Sequence, residues 1–223
     1  MAPIEVETGP MFSGKTSELL TQAERLIVAE EVQGIDFLIF NHASDTRYGE
    51  SMIAAHGKNS LPAIPVSSSG EILEHIFTTD ETGEITLIES REQLSTIFID
   101  EAQFFDLDLP EVLDFIDRYY QYRLGKDINI YCAGLDMDFR GEPFGPMPNL
   151  LAVATKVNKF TAVCKKCKKG TPRNARYTQR LVRGKPAGYD DPIIKVGATE
   201  SYTARCFEHH ELPGHPQLKP KSK

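Results

Sequence analysis

The chain has 223 residues, of which 25 are basic and 32 acidic, so its formal net charge is −7, and 40% of its residues are hydrophobic. This length and apolar share predict one folded domain with an appendage and exclude an intrinsically disordered chain. The net negative charge disfavours nonspecific binding to nucleic acid or to an anionic membrane, because both need a basic surface.

Short apolar runs alternate with longer amphipathic stretches over the first two thirds of the chain. Strands are predicted at Ile4–Thr8, Asp36–Phe40, Ile85–Ile88, Thr96–Asp100 and Ile128–Ala133. Helices are predicted at Ser17–Val32, Glu71–Phe77 and Glu111–Leu124, with Pro110 in the first turn of the last one. This alternation indicates an α/β fold with a parallel central sheet that helices cover on both faces.

The apolar runs, such as Leu38-Ile39-Phe40, are only a few residues long, whereas a membrane-spanning helix needs about 20 apolar residues. The first residues, Met1 to Glu7, lack the basic start and the apolar stretch of a secretory signal. We therefore expect a cytoplasmic protein with no membrane partner, whose cysteines stay reduced.

The first motif with chemical content lies between the first predicted strand and the first predicted helix. It is a full G-x-x-x-x-G-K-[ST] phosphate-loop pattern, Gly9-Pro10-Met11-Phe12-Ser13-Gly14-Lys15-Thr16. In such a loop, backbone N–H groups cradle phosphate oxygens, Lys15 neutralises the β/γ charge, and the Thr16 hydroxyl reaches Mg²⁺. The motif predicts binding of a nucleoside triphosphate.

A second motif, Asp100-Glu101-Ala102-Gln103, ends the predicted strand at Thr96–Asp100. An acid at the carboxyl end of a parallel strand suits Mg²⁺, and we assign this role to Asp100. Glu101 could accept a proton from an attacking hydroxyl. A solvated acidic turn is the alternative interpretation, which the phosphate loop disfavours. Two other classes of phosphate-loop protein fit the sequence poorly. A helicase with this motif needs a second lobe, for which the chain is too short. A GTPase needs a carboxylate that reads guanine, and the nearest segment, Asn158-Lys159-Phe160-Thr161, lacks it.

The composition changes after about Lys159, where the chain becomes basic and too poor in apolar runs for an independent core. Two pairs of metal-ligand residues with matching spacing lie in this segment: Cys164 with Cys167, and Cys206 with His209. Such pairs suit a structural, tetrahedral Zn²⁺ ion, and His210 is the alternative fourth ligand. Cys132 lies in an apolar strand and is predicted to belong to the core.

Taken in order, these motifs resemble those of the type II thymidine kinases, over about residues 4 to 210. Besides the phosphate loop and the zinc ligands, the resemblance rests on Asp45-Thr46-Arg47-Tyr48, Asp100 to Phe105, Gly134 to Phe139 with Pro143-Phe144-Gly145, Thr161 to Cys164, and Tyr202. It implies a RecA-like domain, a zinc-held module with a lasso loop, and a homotetramer. It also implies transfer of the ATP γ-phosphate to the 5′-hydroxyl of thymidine, and of deoxyuridine, in pyrimidine salvage, giving dTMP and ADP.

The resemblance also implies roles for individual residues. Glu101 would be the general base, Lys15 and Arg47 would stabilise the transferring phosphoryl group, and Thr16 with Asp100 would hold Mg²⁺. The implied ATP site comprises Gly9 to Thr16, Asp45, Thr46, Arg47, Asp100, Glu101, Ala102 and Gln103, with Gln103 near the sugar or phosphate end. The implied nucleoside site comprises Phe139 against the thymine ring, Met11, Phe104, Leu135, Phe144, Thr178, Tyr202 and the lasso residues Ile193, Ile194, Lys195, Val196 and Gly197.

On this basis we expect residues 1–159 to form the ATP-binding domain, 160–211 the zinc and lasso module, and 212–223 a poorly ordered tail. A nucleic-acid-binding zinc ribbon, with Lys165, Lys166, Lys168 and Lys169 on phosphates, is the alternative from another class. The net charge disfavours it, and it leaves the phosphate loop without a task. A kinase for a different nucleoside would share the mechanism and differ in the lasso pocket.

Overall fold

The computed structural model describes residues 4–33, 36–45, 51–54, 60–194 and 202–216. The strands are β1 (Ile4–Thr8), β2 (Asp36–His42), β3 (Met52–Ala54), β4 (Ser60–Pro62), β5 (Ile64–Val66), β6 (Phe77–Thr79), β7 (Ile85–Leu87), β8 (Leu94–Asp100), β9 (Asn129–Gly134), β10 (Lys156–Lys159), β11 (Ala162–Val163), β12 (Asn174–Ala175), β13 (Tyr177–Val182), β14 (Lys185–Pro186) and β15 (Tyr202–Arg205). The helices are α1 (Lys15–Gln33), α2 (Ser69–Glu74), α3 (Leu109–Tyr119) and α4 (Met147–Val153). Short 3₁₀ turns lie at Glu89–Arg91, Ala102–Phe104 and Phe207–His209, and a π-helical turn at Tyr120–Leu124.

A parallel six-stranded sheet forms the centre of the molecule, in the order β10-β1-β9-β8-β2-β5. On one face, α1 packs through Leu19, Leu20 and Ala23 against residues of β2 and β8. On the other face, α3 and α4 pack in the larger core, which includes Leu113 and Leu150. The prediction of an α/β fold with helices on both faces is confirmed.

The predicted inner strands and α1 match the structure closely, whereas one predicted helix is wrong in part. Ser68 caps α2 by accepting a hydrogen bond from the backbone N–H of Glu71, and this helix ends at Glu74. Phe77, predicted to be helical, instead begins β6 and pairs with Leu87 in an antiparallel hairpin. The edge strands β5 and β10 have no apolar run that would predict them: both are short, β5 contains a proline, and β10 contains two lysines.

The segment after β10 forms small antiparallel sheets, β11-β12 and β14-β13-β15. Among the described residues, its buried cluster consists of alanines and cysteines: Ala162, Cys164, Ala175, Ala204 and Cys206. Phe12 from the phosphate loop and the half-buried Cys167 pack against this cluster. We call this segment, together with its cluster, the Cys₃His module.

Two further features bear on the sequence predictions. Leu212, which the sequence assigns to the tail, is buried with Phe139 and Ala187, and the N–H of Tyr189 donates to the carbonyl oxygen of Pro213 at 2.8 Å. Cys132 is fully buried in β9, as predicted. Within the part of the chain that the structure describes, no helix combines the length and the apolar character that crossing a membrane requires.

Candidate functional site

The phosphate loop connects β1 to α1 at the carboxyl edge of the parallel sheet. Gly9 has a φ of 141°, and a Cβ there would lie 2.4 Å from the carbonyl oxygen of Phe160, so this position requires glycine. Lys15 begins α1 and donates from Nζ to the carbonyl oxygen of Pro10 at 3.0 Å. The loop and the helix N-terminus together form the type of backbone surface that binds phosphate.

Asp100 ends β8 next to the phosphate loop and is only 5% exposed. Its Oδ1 accepts hydrogen bonds from the Thr16 hydroxyl at 3.3 Å and from the Glu101 backbone N–H at 2.9 Å. The structure thus brings together the hydroxyl and the carboxylate that the sequence analysis paired. Such oxygen ligands suit a partly hydrated Mg²⁺ ion.

Glu101 follows Asp100 in a left-handed backbone conformation, with φ of 54°. This conformation is unfavourable for a residue with a Cβ and is typically found at functional sites. The Gln103 side chain fixes the carboxylate: its Nε2 donates to Glu101 Oε2 at 2.5 Å, and its Oε1 accepts from the Leu135 N–H at 2.8 Å. Gln103 is itself 1% exposed, so it links β8 to the loop after β9 and holds Glu101 in place.

Aromatic rings line the neighbouring end of β2. His42 packs against Phe105 with ring centroids 4.9 Å apart and against Phe104 at 5.9 Å, and Phe104 meets Phe144 edge-on at 5.7 Å. Burial lowers the pKa of His42, although nearby carboxylates, including that of Glu101, oppose the shift. The residues Phe104 and Phe144, predicted to surround a base, therefore lie together beside the Glu101 loop.

Phe139 is 3% exposed and lies between two arginines. The guanidinium carbons of Arg140 and Arg180 are each 5.5 Å from its ring centroid. Arg140 also donates to the carbonyl oxygen of Asp191 at 3.1 Å, and Arg180 donates to that of Pro192. Both arginines therefore connect Phe139 to the start of the predicted lasso.

The four predicted metal ligands converge in the Cys₃His module. The ligand atoms of Cys164, Cys167, Cys206 and His209 all lie within 4.8 Å of one another. His209 Nδ1 is 3.4 to 3.5 Å from each sulfur, and the sulfurs of Cys167 and Cys206 are 3.9 Å apart. For Zn–S bonds of about 2.3 Å and Zn–N bonds of about 2.0 Å, tetrahedral geometry requires ligand separations of roughly 3.5 to 3.8 Å. The cluster therefore fits zinc.

Two cysteines of the cluster, Cys164 and Cys167, have shifted pKa values. Desolvation opposes ionisation of Cys164, but hydrogen bonds from backbone groups and from His209 lower its pKa to about 6. Desolvation and the two neighbouring thiols raise the pKa of Cys167 to about 11. Thiolates this close repel one another, and a divalent cation would relieve that repulsion.

The structure separates the two candidate histidines. His210 points away from the sulfurs: its Nε2 donates to the carbonyl oxygen of Phe139 at 2.9 Å, and its ring stacks on Tyr177 at 4.6 Å. The preference for His209 as the fourth ligand agrees with this geometry, and His210 instead ties the module to the Phe139 loop.

The remaining predicted residues fall into two groups. Thr178 accepts a hydrogen bond from the Met11 N–H at 3.0 Å, and Tyr202 lies opposite Arg180 in the β13-β15 pair. Ile193 and Ile194 are exposed, and Asp45 is buried and donates from its N–H to His42. Five predicted site residues lie outside the described residues: Thr46, Arg47, Lys195, Val196 and Gly197.

Several residues of the site region were not found by sequence reasoning. No sequence motif identifies Arg140, Arg180 or His42 as site residues. Their contacts in the folded structure identify them. Lys159 pairs with the buried Asp136 at 2.7 Å, and both line a cavity of about 280 Å³ beside Gly9 and Pro10. Asp136 belongs to the motif Gly134 to Phe139, in which it stands between Leu135 and Met137. A carboxylate between two apolar residues is the sequence signal that could have identified it.

Fold and site together define a phosphate-loop α/β protein with a Cys₃His cluster that is compatible with a structural zinc ion. Residues 2–210 match the thymidine kinase family, so the chain belongs to this family, whose general activity is ATP-dependent phosphorylation of thymidine. Among solved structures, the chain is similar to a Bacteroides Pif1 bound to ssDNA, with 14% identity over 68% of this chain and a TM-score of 0.35. The matched region is 32% of that longer chain, and a likeness this low carries no argument.

Proposed function

We propose that this chain transfers the γ-phosphate of ATP to the 5′-hydroxyl of thymidine, and of deoxyuridine, giving dTMP and ADP. The observation that carries the proposal is the fixed carboxylate of Glu101, beside the Asp100–Thr16 pair and the phosphate loop. Family membership supplies the class of acceptor.

Glu101 is the proposed general base, because Gln103 holds its carboxylate in one orientation. The 5′-hydroxyl gives its proton to Glu101 while its oxygen forms a bond to the γ-phosphorus of ATP. The bond from that phosphorus to the bridging oxygen of ADP breaks, and ADP leaves. Positioning and charge stabilisation supply most of the catalysis in such a transfer.

Cations on the protein would neutralise the transferring group. Lys15 and Arg47 are the proposed residues, and Lys15 would exchange its present contact with Pro10 for phosphate oxygens. Thr16 and Asp100 would hold Mg²⁺, which, when bound, bridges and neutralises phosphate oxygens. The backbone of Gly9 to Thr16, with Asp45, Thr46, Ala102 and Gln103, completes the proposed ATP site.

The thymine base is proposed to lie among the aromatic residues and the lasso. Phe104 and Phe144 are in mutual edge contact, which supports this placement. Phe139, Leu135, Thr178, Tyr202 and Ile193 to Gly197 complete the proposed nucleoside site, in which lasso backbone groups read the base edge. Arg140 and Arg180 would hold the lasso base against Phe139.

The Cys₃His module would bind a structural zinc ion through Cys164, Cys167, Cys206 and His209. A saturated set of four ligands leaves no open position for chemistry, so the ion would act on folding. We further propose the division into residues 1–159, 160–211 and 212–223, a homotetrameric assembly and a cytoplasmic location.

The direct test measures transfer from ATP with Mg²⁺ to thymidine, deoxyuridine and deoxycytidine in parallel. Thymidine and deoxyuridine should accept the phosphate and deoxycytidine should not. In the Glu101→Gln variant, kcat should fall by about 10²- to 10⁴-fold, the range expected for a lost general base. ATP binding without transfer to any nucleoside would overturn the proposal.

A further inference from the structure

Phe12 belongs to two parts of the molecule at once. Its backbone lies in the phosphate loop, two residues before Gly14, while its side chain packs against the buried cluster of the Cys₃His module. The other members of that cluster are alanines and cysteines, so the Phe12 ring is its one aromatic member among the described residues. The phosphate loop therefore contributes a large apolar group to the module that carries the metal ligands.

The backbone conformation at Phe12 needs support from its surroundings. Its φ is 65°, in the left-handed region that disfavours residues with a Cβ. Such a conformation persists where neighbouring groups hold it, and the module packs against the Phe12 side chain. The ammonium group of Lys165, the residue after a metal ligand, lies 5.2 Å from the ring centroid, which adds a cation–π contact.

A second contact joins the same two parts. The backbone N–H of Met11 donates to the Thr178 hydroxyl on β13 at 3.0 Å. Two consecutive loop residues are thus held by the module, one through its N–H and one through its side chain. Because phosphate binding depends on the orientation of the loop's N–H groups, the module's conformation sets the shape of the phosphate site.

The proposed metal ligands belong to the cluster that contacts Phe12. Cys164, Cys206 and Cys167 are both ligands and members of the cluster against which Phe12 packs. An ion bound to them would fix the surface that receives the ring. We infer that Phe12 is a positioning residue that couples the metal site to ATP binding: the bound metal tightens ATP binding, and ATP tightens metal binding.

This inference rests on the proposed binding of ATP at the loop, and thermodynamic linkage makes it testable without catalysis. If the metal raises ATP affinity by some factor, ATP must raise metal affinity by the same factor. Couplings of this kind are typically about 5-fold to 150-fold. If the Phe12 contact served folding alone, Phe12→Ala would respond to nucleotide as the wild type does.

The first experiment measures, at equilibrium, how zinc distributes between the full-length, zinc-loaded protein and a coloured chelator of known affinity, with and without ATP and Mg²⁺ and with no nucleoside present. ATP should raise the zinc affinity of the wild type about 5-fold or more, so that less zinc is released to the chelator. In Phe12→Ala, more zinc should be released and ATP should no longer affect the amount. Val163→Ala is the matched control, because Val163 is next to Cys164 but 64% exposed, and it should behave as the wild type.

The second experiment measures binding of a fluorescent ATP analogue to zinc-loaded and zinc-stripped protein. Stripping should weaken binding in the wild type by the factor seen in the release assay, and Phe12→Leu should give an intermediate response because it keeps an apolar side chain. If Phe12→Ala does not fold, the wild-type arms and Phe12→Leu decide the question.

The outcomes separate this inference from the proposed function. If ATP binds but leaves zinc release unchanged in the wild type, or if Phe12→Ala keeps the wild-type response, the coupling is absent. If coupling is seen and no nucleoside is phosphorylated, only the proposed function fails. If the analogue does not bind at all, both fail.

Discussion

The parallel sheet and the Cys₃His module are stabilised by different interactions. Around the sheet, fully buried aliphatic side chains from β8, β9 and α3, such as Ile97, Ile130 and Leu113, form a continuous core. In the described part of the module, the buried cluster consists of alanines and thiols, with the Phe12 ring packed against it. Burial of apolar area is enough for the first region, whereas the second needs its metal ligands and its contact with the phosphate loop.

Because of this difference, ligand binding and the stability of the sheet can be altered separately. The candidate chemical groups, Asp100 and Glu101, are fixed by the sheet and by Gln103. From the module, Arg180 contacts Pro192, just before the predicted lasso, and Thr178 contacts Met11. Changes in the module should therefore alter ligand affinity before they alter the sheet, and the following predictions test this.

Removal of the metal should have the largest effect. Structural zinc sites contribute about 10–16 kcal/mol of apparent binding free energy at neutral pH, and the module has little else to hold it together. After chelation, the backbone amides of β13 and β15 should lose protection from hydrogen exchange, while those of β8 and β9 keep it. Exchange measured by mass spectrometry checks this.

Added zinc should restore protection to the stripped protein, which provides the control for irreversible damage. If both regions lose protection together, the sheet depends on the module and the two regions are not stabilised separately.

Truncation in the sheet core should have the next largest effect. Leu113 lies on α3 and is fully buried in the core beside the sheet. Leu113→Ala should therefore lower the free energy of unfolding by about 2–5 kcal/mol, because apolar burial is lost and a cavity remains. Urea denaturation measures the change. Zinc content should remain that of the wild type, because the module does not share this core.

Leu107→Ala is the matched control, because Leu107 is 67% exposed and has little burial to lose. A loss of zinc in Leu113→Ala at temperatures where the protein stays folded would show that the two regions are energetically joined.

Much of the sheet and the metal ligand set could be predicted from the sequence because local patterns encode them. The strands β1 and β8, the phosphate loop and the two cysteine-containing pairs each show their structure within a few neighbouring residues. The edge strand β10 could not be found this way, since Lys156-Val157-Asn158-Lys159 has no apolar run and forms by pairing with β1.

The site residues that the sequence did not reveal depend on contacts between distant segments of the chain. Phe12 stands at an unspecified position of the phosphate-loop pattern, and its partners in the module lie more than 100 residues further along the chain. The same holds for two residues that contact Phe139 from distant parts of the chain. Arg180 lies over its ring, and His210 hydrogen-bonds to its carbonyl oxygen. Nothing in local spacing signals such pairs, because tertiary packing creates them.

The smallest expected effect concerns pH and Glu7 in β1, which is 1% exposed beneath α1. Burial raises the pKa of Glu7 from 4.5 to about 7; the hydrogen bond from Asn158 opposes the shift, and the charges of Glu5 and Glu18 add to it. Between pH 4.5 and pH 7 the folded state thus holds a proton that the unfolded state has lost. Stability should therefore fall as the pH rises through this range.

Glu7→Gln imitates the protonated carboxyl and can still accept from Asn158, so it should remove this pH dependence. Above pH 7, the variant should be more stable than the wild type by at most about 3 kcal/mol. Below pH 4.5, the two should be equal. Urea denaturation with excess zinc measures both, and a constant difference across this range would contradict the titration of Glu7.

Glu5→Gln is the comparison variant, because Glu5 pairs with Lys156 at 2.6 Å and its charge only adds to the pKa shift of Glu7. It should lose the ion pair and reduce the pH dependence of stability without removing it. The module should respond to pH in the opposite direction, since its thiols must lose protons before they bind a metal. Raising the pH should therefore weaken the sheet slightly while it strengthens metal binding, which distinguishes the two regions within one protein.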